Sequence, residues 1–230
     1  MNFDYPKHRS ILIRLLKDIY TDASLAPYLG FKGGTAALLF YGLDRRSVDL
    51  DFDLLDHGQQ TEVFKKLEAI AKTHGTVDYS KAKRFSLLNV ISYAPGVQKI
   101  KVEVNLRDFG SAYDLKTLLG IPMLVMKKED MFANKLMAML ERLGQTSRDV
   151  YDVHFFFKQN WDINQTIVEK RAKLPYKDTL TKCIKAVKNM DNRHILDGLG
   201  DLLDDPQKQW ARAKLKEETL FLLKLALETA

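Results

Sequence analysis

Between Val48 and Leu54 the chain reads VDLDFDL, with Asp49, Asp51 and Asp53 alternating with apolar residues. On a strand, this alternation sends the three acids to one face and Val48, Leu50, Phe52 and Leu54 to the other. Folding alone gives no reason to line one face of an apolar strand with acids. A hard divalent cation, which takes oxygen ligands, does. Two other readings compete. Acids can guard a solvated strand edge against pairing, but that leaves Gly33-Gly34-Thr35 upstream unexplained. A calcium loop would use Asp49, Asp51 and Asp53 as its first, third and fifth ligands, then require Gly sixth and Glu twelfth. Leu54 and Gln60 stand there instead.

The glycines supply the second half of the chemistry. Gly33 and Gly34 let backbone N–H groups approach a phosphate closely, and a helix starting there turns its positive dipole end toward the anion. Thirteen residues separate Thr35 from Asp49, enough for one short helix and a return to a sheet. The elements that must hold these groups can be read from periodicity. Residues 8–21 predict a helix, 29–32 a strand, 35–43 a short helix, 48–55 the carboxylate strand and 61–73 an amphipathic helix. Strand character follows at 77–81, 85–93 and 99–107, with Pro95-Gly96 as the turn between the last two. From Lys127 onward every periodic stretch is helical, and 108–126 is the expected join.

A third carboxylate is available in the strand KIKVEVNLR, where Glu103 is the one acid and has an apolar residue on each side. Asp78 is a weaker candidate. Taken alone, a strand with alternating Lys and Glu is usually just a wet face. In the helical half, Asn134 and Lys135 interrupt the apolar run from Met131 to Leu140. Lys135 either snorkels out or points at a buried anion. Asp149 and Asp152, three residues apart, share a helix face in very apolar surroundings. They either steady the domain join, with Arg148 as an i+4 partner for Asp152, or belong to a site.

Gly-Gly-Thr followed by Asp-x-Asp between apolar residues resembles the signature of the polymerase-β-like nucleotidyltransferases. Lys32–Ala36 as KGGTA, Arg46-Ser47-x-Asp49-x-Asp51, an apolar helix with Lys135 and Arg142, and Arg148-Asp149-x-x-Asp152 together resemble the AbiEii/AbiGii toxin family, from about Phe31 to Phe157. The resemblance implies NMP transfer from an NTP to an acceptor hydroxyl. The acceptor would be the 3′ end of tRNA, and the protein a toxin of a bacterial toxin–antitoxin or phage-defence system with a cognate antitoxin. It implies Mg²⁺ on Asp49 and Asp51, with Glu103 holding a second metal or acting as base. Lys32, Gly33, Gly34, Thr35, Arg46 and Ser47 would bind phosphate. Lys135 would contact the nucleotide and Asp149/Asp152 would complete the site. Asp53 lies outside the usual pair and would be supporting or solvated. A protein or small-molecule acceptor, or a non-catalytic nucleotide-binding regulator, are the alternatives.

The expected fold is α+β: a small mixed β-sheet core with flanking helices over residues 1–115, then an all-helical domain, 116–230, completing the active-site cleft. Apolar content of 46% and charged content of 29% fit an ordinary globular chain rather than a disordered one. A lone cysteine, Cys183, excludes an internal disulfide and suits a reducing cytoplasm. The N-terminus, MNFDYPKHRS, lacks signal-peptide character, and no apolar run is long enough for a membrane span. The five histidines have no metal-ligand spacing and read as structural or surface residues. The net charge of +6 is concentrated in residues 167–193. That stretch is either a solvated helical face or a contact surface for a phosphate backbone.

Overall fold

The computed structural model describes residues 4–230; Met1–Phe3, part of the N-terminal reading above, lie outside them. The chain forms two compact units. One takes the stretch up to Asp108 together with Ala112–Lys127; the other takes Phe109–Ser111 and Lys128–Ala230.

The first unit is built on strands β1 (Leu29–Lys32), β2 (Leu50–Leu54), β3 (Thr76–Ala82), β4 (Ser86–Ser92), β5 (Ile100–Asn105), β6 (Tyr113–Leu118) and β7 (Ile121–Met126), with helices α1 (Tyr5–Thr21), α2 (Gly33–Tyr41) and α3 (Gln60–His74). The strands form a seven-stranded mixed sheet in the order β3-β4-β5-β2-β1-β7-β6. β2 runs antiparallel to β1 and parallel to β5. Alternation works as expected on β2: Leu50, Phe52 and Leu54 are buried with Phe31, Val102 and Val104. Helix α1 contributes Ile11, Leu12, Leu15, Leu16 and Ile19 to the core, and α3 contributes Val63 and Leu67. Each helix presents its apolar residues at helical spacing, so one stripe is removed from water. The Phe31 and Phe52 rings meet at 5.3 Å between centroids.

The join expected at 108–126 is instead largely a β-hairpin, so a division after residue 115 would cut β6. Its turn is Leu119-Gly120, both in the left-handed region at φ 52° and 80°. A leucine there is unusual. Pro122 within β7 further masks the strand character.

The second unit is helical, as expected: α4 (Lys128–Arg142), α5 (Arg148–Lys158), α6 (Gln165–Ala172), α7 (Tyr176–Asn189), α8 (Asp205–Trp210) and α9 (Lys216–Glu228). Phe132, Leu136, Val150, Val153, Phe156, Leu180, Val187 and Leu223 fill its core. Among the described residues, no helix is long and apolar enough to cross a membrane.

Candidate active site

The β1–α2 junction follows from the two glycines. Gly33 has φ +78°, and a Cβ there would stand 2.4 Å from Asp51 Oδ2. Any larger residue would therefore be strained and would also displace the carboxylate. A Cβ on Gly34 would meet Arg45 and Ser47 at 2.8 and 2.9 Å. The buried Thr35 hydroxyl lies 2.8 Å from Ser47 Oγ and 2.5 Å from the Asp49 carbonyl oxygen. Thr35 and Ser47 thus spend their hydroxyls on each other and on fixing the segment that leads into β2. Lys32 caps α2 without a side-chain hydrogen bond, so the opening N–H groups keep the anion-binding character of a helix start. Arg46 lies with its guanidinium carbon 5.3 Å from the Tyr5 ring centroid.

The four acids of this face have contrasting surroundings. Asp51 and Glu103 are directly paired across β2 and β5. Both are half-buried. Among the described residues neither side chain has a hydrogen bond or ion pair. Asp53, one pair along, is nearly buried at 9% exposure. It receives Lys32 Nζ at 2.5 Å, Asn105 Nδ2 at 2.6 Å and the Tyr113 hydroxyl at 2.6 Å. Gly30 makes room for that tyrosine, because a Cβ there would stand 2.2 Å from Tyr113 Cε1. Asp49 precedes β2, and its Oδ1 accepts the Lys101 backbone N–H at 3.1 Å. Among the described residues no group of three or more His, Cys, Asp or Glu side chains is gathered in metal-holding geometry. The donor set still suits a hard cation: two adjacent carboxylates that make no ion pair with a described residue repel each other, and oxygen ligands are what Mg²⁺ takes.

Lys135, Arg142, Asp149 and Asp152 come together in the helical unit. Lys135 reaches from α4 to α5, with Nζ 3.1 Å from Asp149 Oδ1 and 2.7 Å from Asp152 Oδ2. Arg142 Nη2 is 2.9 Å from Asp149 Oδ1. Both aspartates are fully buried, and the Lys135 side chain is 12% exposed. The buried anions that Lys135 could address are therefore these two aspartates. In the basic stretch, Lys170, Lys173, Lys177, Lys182, Lys185 and Lys188 are exposed. Arg171 is instead tied to Asn134 and Glu141, with its guanidinium 4.7 Å from the Phe109 ring centroid. The Asp78 carboxylate, the weaker third candidate, pairs with Lys99 at 2.7 Å. The Asp53–Tyr113–Asn105 group is not legible in the sequence, because Tyr113 lies on β6, whose hairpin turn at Leu119-Gly120 lacks the usual turn residues. His8 is buried, bonded to the Val48 carbonyl through Nε2 and to the Tyr93 hydroxyl through Nδ1, both at 2.9 Å.

A mixed sheet with paired carboxylates on parallel neighbouring strands, beside a Gly-Gly helix start, defines the nucleotidyltransferase class. Residues 14–222 match the family described as Nucleotidyl transferase AbiEii toxin, Type IV TA system. The match spans most of the chain, and the protein belongs to that family and is a nucleotidyltransferase. Solved structures of similar fold include a candidate nucleotidyltransferase from H. pylori, 21% identical, with a TM-score of 0.63 over 100% of this chain and 97% of that one. JHP933 from Helicobacter pylori is also 21% identical, with a TM-score of 0.60 over 98% of this chain and 92% of its own. The antibiotic-resistance factor ANT(2″)-Ia is 14% identical, with a TM-score of 0.50 over 71% of this chain and 91% of its own. Comparison with curated proteins finds no match.

Proposed function

We propose that the protein moves NMP from an NTP to the 3′-terminal hydroxyl of tRNA with Mg²⁺, as the toxin of a type IV toxin–antitoxin system restrained by a cognate antitoxin in the cytoplasm. The observation that carries the catalytic part is the Asp51–Glu103 pair, two adjacent carboxylates that make no ion pair with a described residue. Asp51, Glu103 and Asp49 would hold Mg²⁺, which when bound supplies neutralisation of triphosphate charge. The remaining work falls to side chains and backbone. The α2 N–H groups after Lys32 receive phosphate oxygens, and Arg46 would neutralise phosphate charge. Glu103 accepts the proton of the attacking hydroxyl. That oxygen bonds to the α-phosphorus as the bond to pyrophosphate breaks, and pyrophosphate leaves with the electron pair. Lys135, positioned by Asp149 and Asp152, is the helical unit's own contribution to nucleotide handling. One of its three N–H bonds remains for a ligand after the two aspartates.

The test is incubation of the purified protein with each α-labelled NTP, Mg²⁺ and total cell extract, followed by separation of RNA from protein and small molecules. The expected label is on tRNA, dependent on Mg²⁺ and lost in Asp51→Asn. Label on protein or small molecules moves the acceptor assignment to that class; no label with any NTP overturns the transfer reaction.

A further inference from the structure

The hairpin formed by β3 and β4 carries a feature that the transfer chemistry does not use. Directly opposed residues of neighbouring strands share a face. Lys81 is opposite Leu88, Leu88 opposite Glu103, and Glu103 opposite Asp51. Lys81 therefore stands on the carboxylate face, about 10 Å from Glu103 and about 14 Å from Asp51 at the usual strand spacing. Tyr79 shares that face by alternation and is opposite Val90, and Lys83, just past the end of β3, reaches the Tyr79 ring. Half-buried Leu88 and Val90 lie between them and β5.

The chemistry of this edge is distinctive. Tyr79 is 41% and Phe85 50% exposed. Lys83 Nζ is 5.5 Å from the Tyr79 ring centroid, and Phe85 is flanked by Arg84 at 4.9 Å and Arg107 at 5.8 Å. Lys81, Lys83 and Arg84 are exposed, and none makes an ion pair with a described residue. No acid occurs from Tyr79 to Phe85. Lysines on an edge strand can serve only to prevent pairing. That role does not call for two half-exposed aromatic rings bracketed by cations, which leave apolar area in water at a cost. Rings beside cations do suit unpaired bases, which stack on the rings while the cations meet phosphates. A duplex keeps its bases stacked on one another and offers none to a ring.

We infer that this hairpin is the landing surface for the single-stranded end of an RNA acceptor, running from Phe85 and Tyr79 across Leu88 and Val90 to its terminal hydroxyl at Glu103 and Asp51. The inference rests on the RNA-acceptor reading above and adds where that RNA lies. The probe is a fluorescein-labelled single-stranded RNA of about 12 nucleotides, titrated with the full-length protein by anisotropy over a range of salt. Two variants separate charge from stacking. Lys81→Glu/Lys83→Glu/Arg84→Glu should weaken binding about 10-fold or more and reduce the slope of log affinity against log salt by about 2. Tyr79→Ala/Phe85→Ala should weaken it by about 5- to 100-fold with the slope unchanged. Both should bind NTP like the wild type, since the altered side chains are exposed and outside the phosphate cradle. If both variants bind RNA within about two-fold of wild type and label RNA at the same rate, the surface is overturned while the acceptor reading stands. If the wild type itself labels no RNA, the acceptor reading is overturned and the surface with it.

Discussion

Asp51 and Asp53 are two residues apart on one strand face, and their surroundings set opposite expectations. Asp53 is held by an ammonium, an amide and a phenol. Asp53→Asn should cost about 1.5–3 kcal/mol, the usual worth of hydrogen bonding to a charged group. Asp51 faces Glu103 and makes no ion pair with a described residue. Asp51→Asn should leave metal-free stability unchanged or raise it by up to about 1 kcal/mol by relieving like-charge repulsion, while abolishing transfer. Urea midpoints paired with the labelled-NTP assay on both variants check this. A larger stability loss for Asp51→Asn than for Asp53→Asn would make Asp51 a structural residue. Lys32 sits between the two: it is opposite Asp51 across β1 and β2 yet bonds Asp53. That pairing keeps an internal cation off the carboxylate proposed to meet Mg²⁺.

At the scale of elements, alternation made β2, β4 and β5 legible in the sequence, because a strand with one buried face writes its period directly into residue types. Asp51 and Glu103 could thus be singled out. Their side-by-side pairing could not, because register between strands far apart in sequence is set by packing. The β6–β7 hairpin was illegible for a local reason: its turn places Leu119 in the left-handed region and lacks the usual Asn-Gly or Asp-Gly pair. Asp53's phenol partner was hidden with it. Helix α1 carries a further positioning contact, since His8 bonds the carbonyl of Val48, the residue before Asp49. Burial lowers the His8 pKa below its ordinary 6.5. The neutral ring's contribution is therefore whole above about pH 6.5 and is lost as pH falls through the lower folded value, since the unfolded chain then binds the extra proton. Thermal melts should show wild-type stability falling from pH 7 to pH 5. His8→Gln should be less stable at pH 7 by about 1 kcal/mol and should fall less on acidification. An equal slope in both proteins would remove His8 from the acid response.

At the scale of the whole molecule, the sequence order of strands then helices reappears as two units, each with its own apolar core. Spacing alone left Lys135 open between a solvent-reaching stem and a buried anion partner. The structure supplies the anions from within the helical unit, which changes what a substitution should do. Lys135→Ala leaves two fully buried carboxylates near each other and removes one of the cations that hold them. Breaking a buried ion pair in this way costs about 3–5 kcal/mol. Cys183 on α7 is a built-in reporter of that loss. It is fully buried in the same unit, and burial pushes its thiol up to about 12. The thiolate is the nucleophile that attacks alkylating reagents, so labelling near pH 8 proceeds only through opening of the helical unit. A cost of about 3 kcal/mol in that opening equilibrium corresponds to labelling faster by about 100-fold. Timed alkylation of native protein, read by intact mass, should show that acceleration in Lys135→Ala. The hairpin variant Lys81→Glu/Lys83→Glu/Arg84→Glu, whose changes lie on exposed positions of the sheet unit, should label at the wild-type rate. A Lys135→Ala protein that labels no faster than the hairpin variant would mean that the buried charges do not hold the helical unit together, and Lys135 would then be kept for its ligand alone.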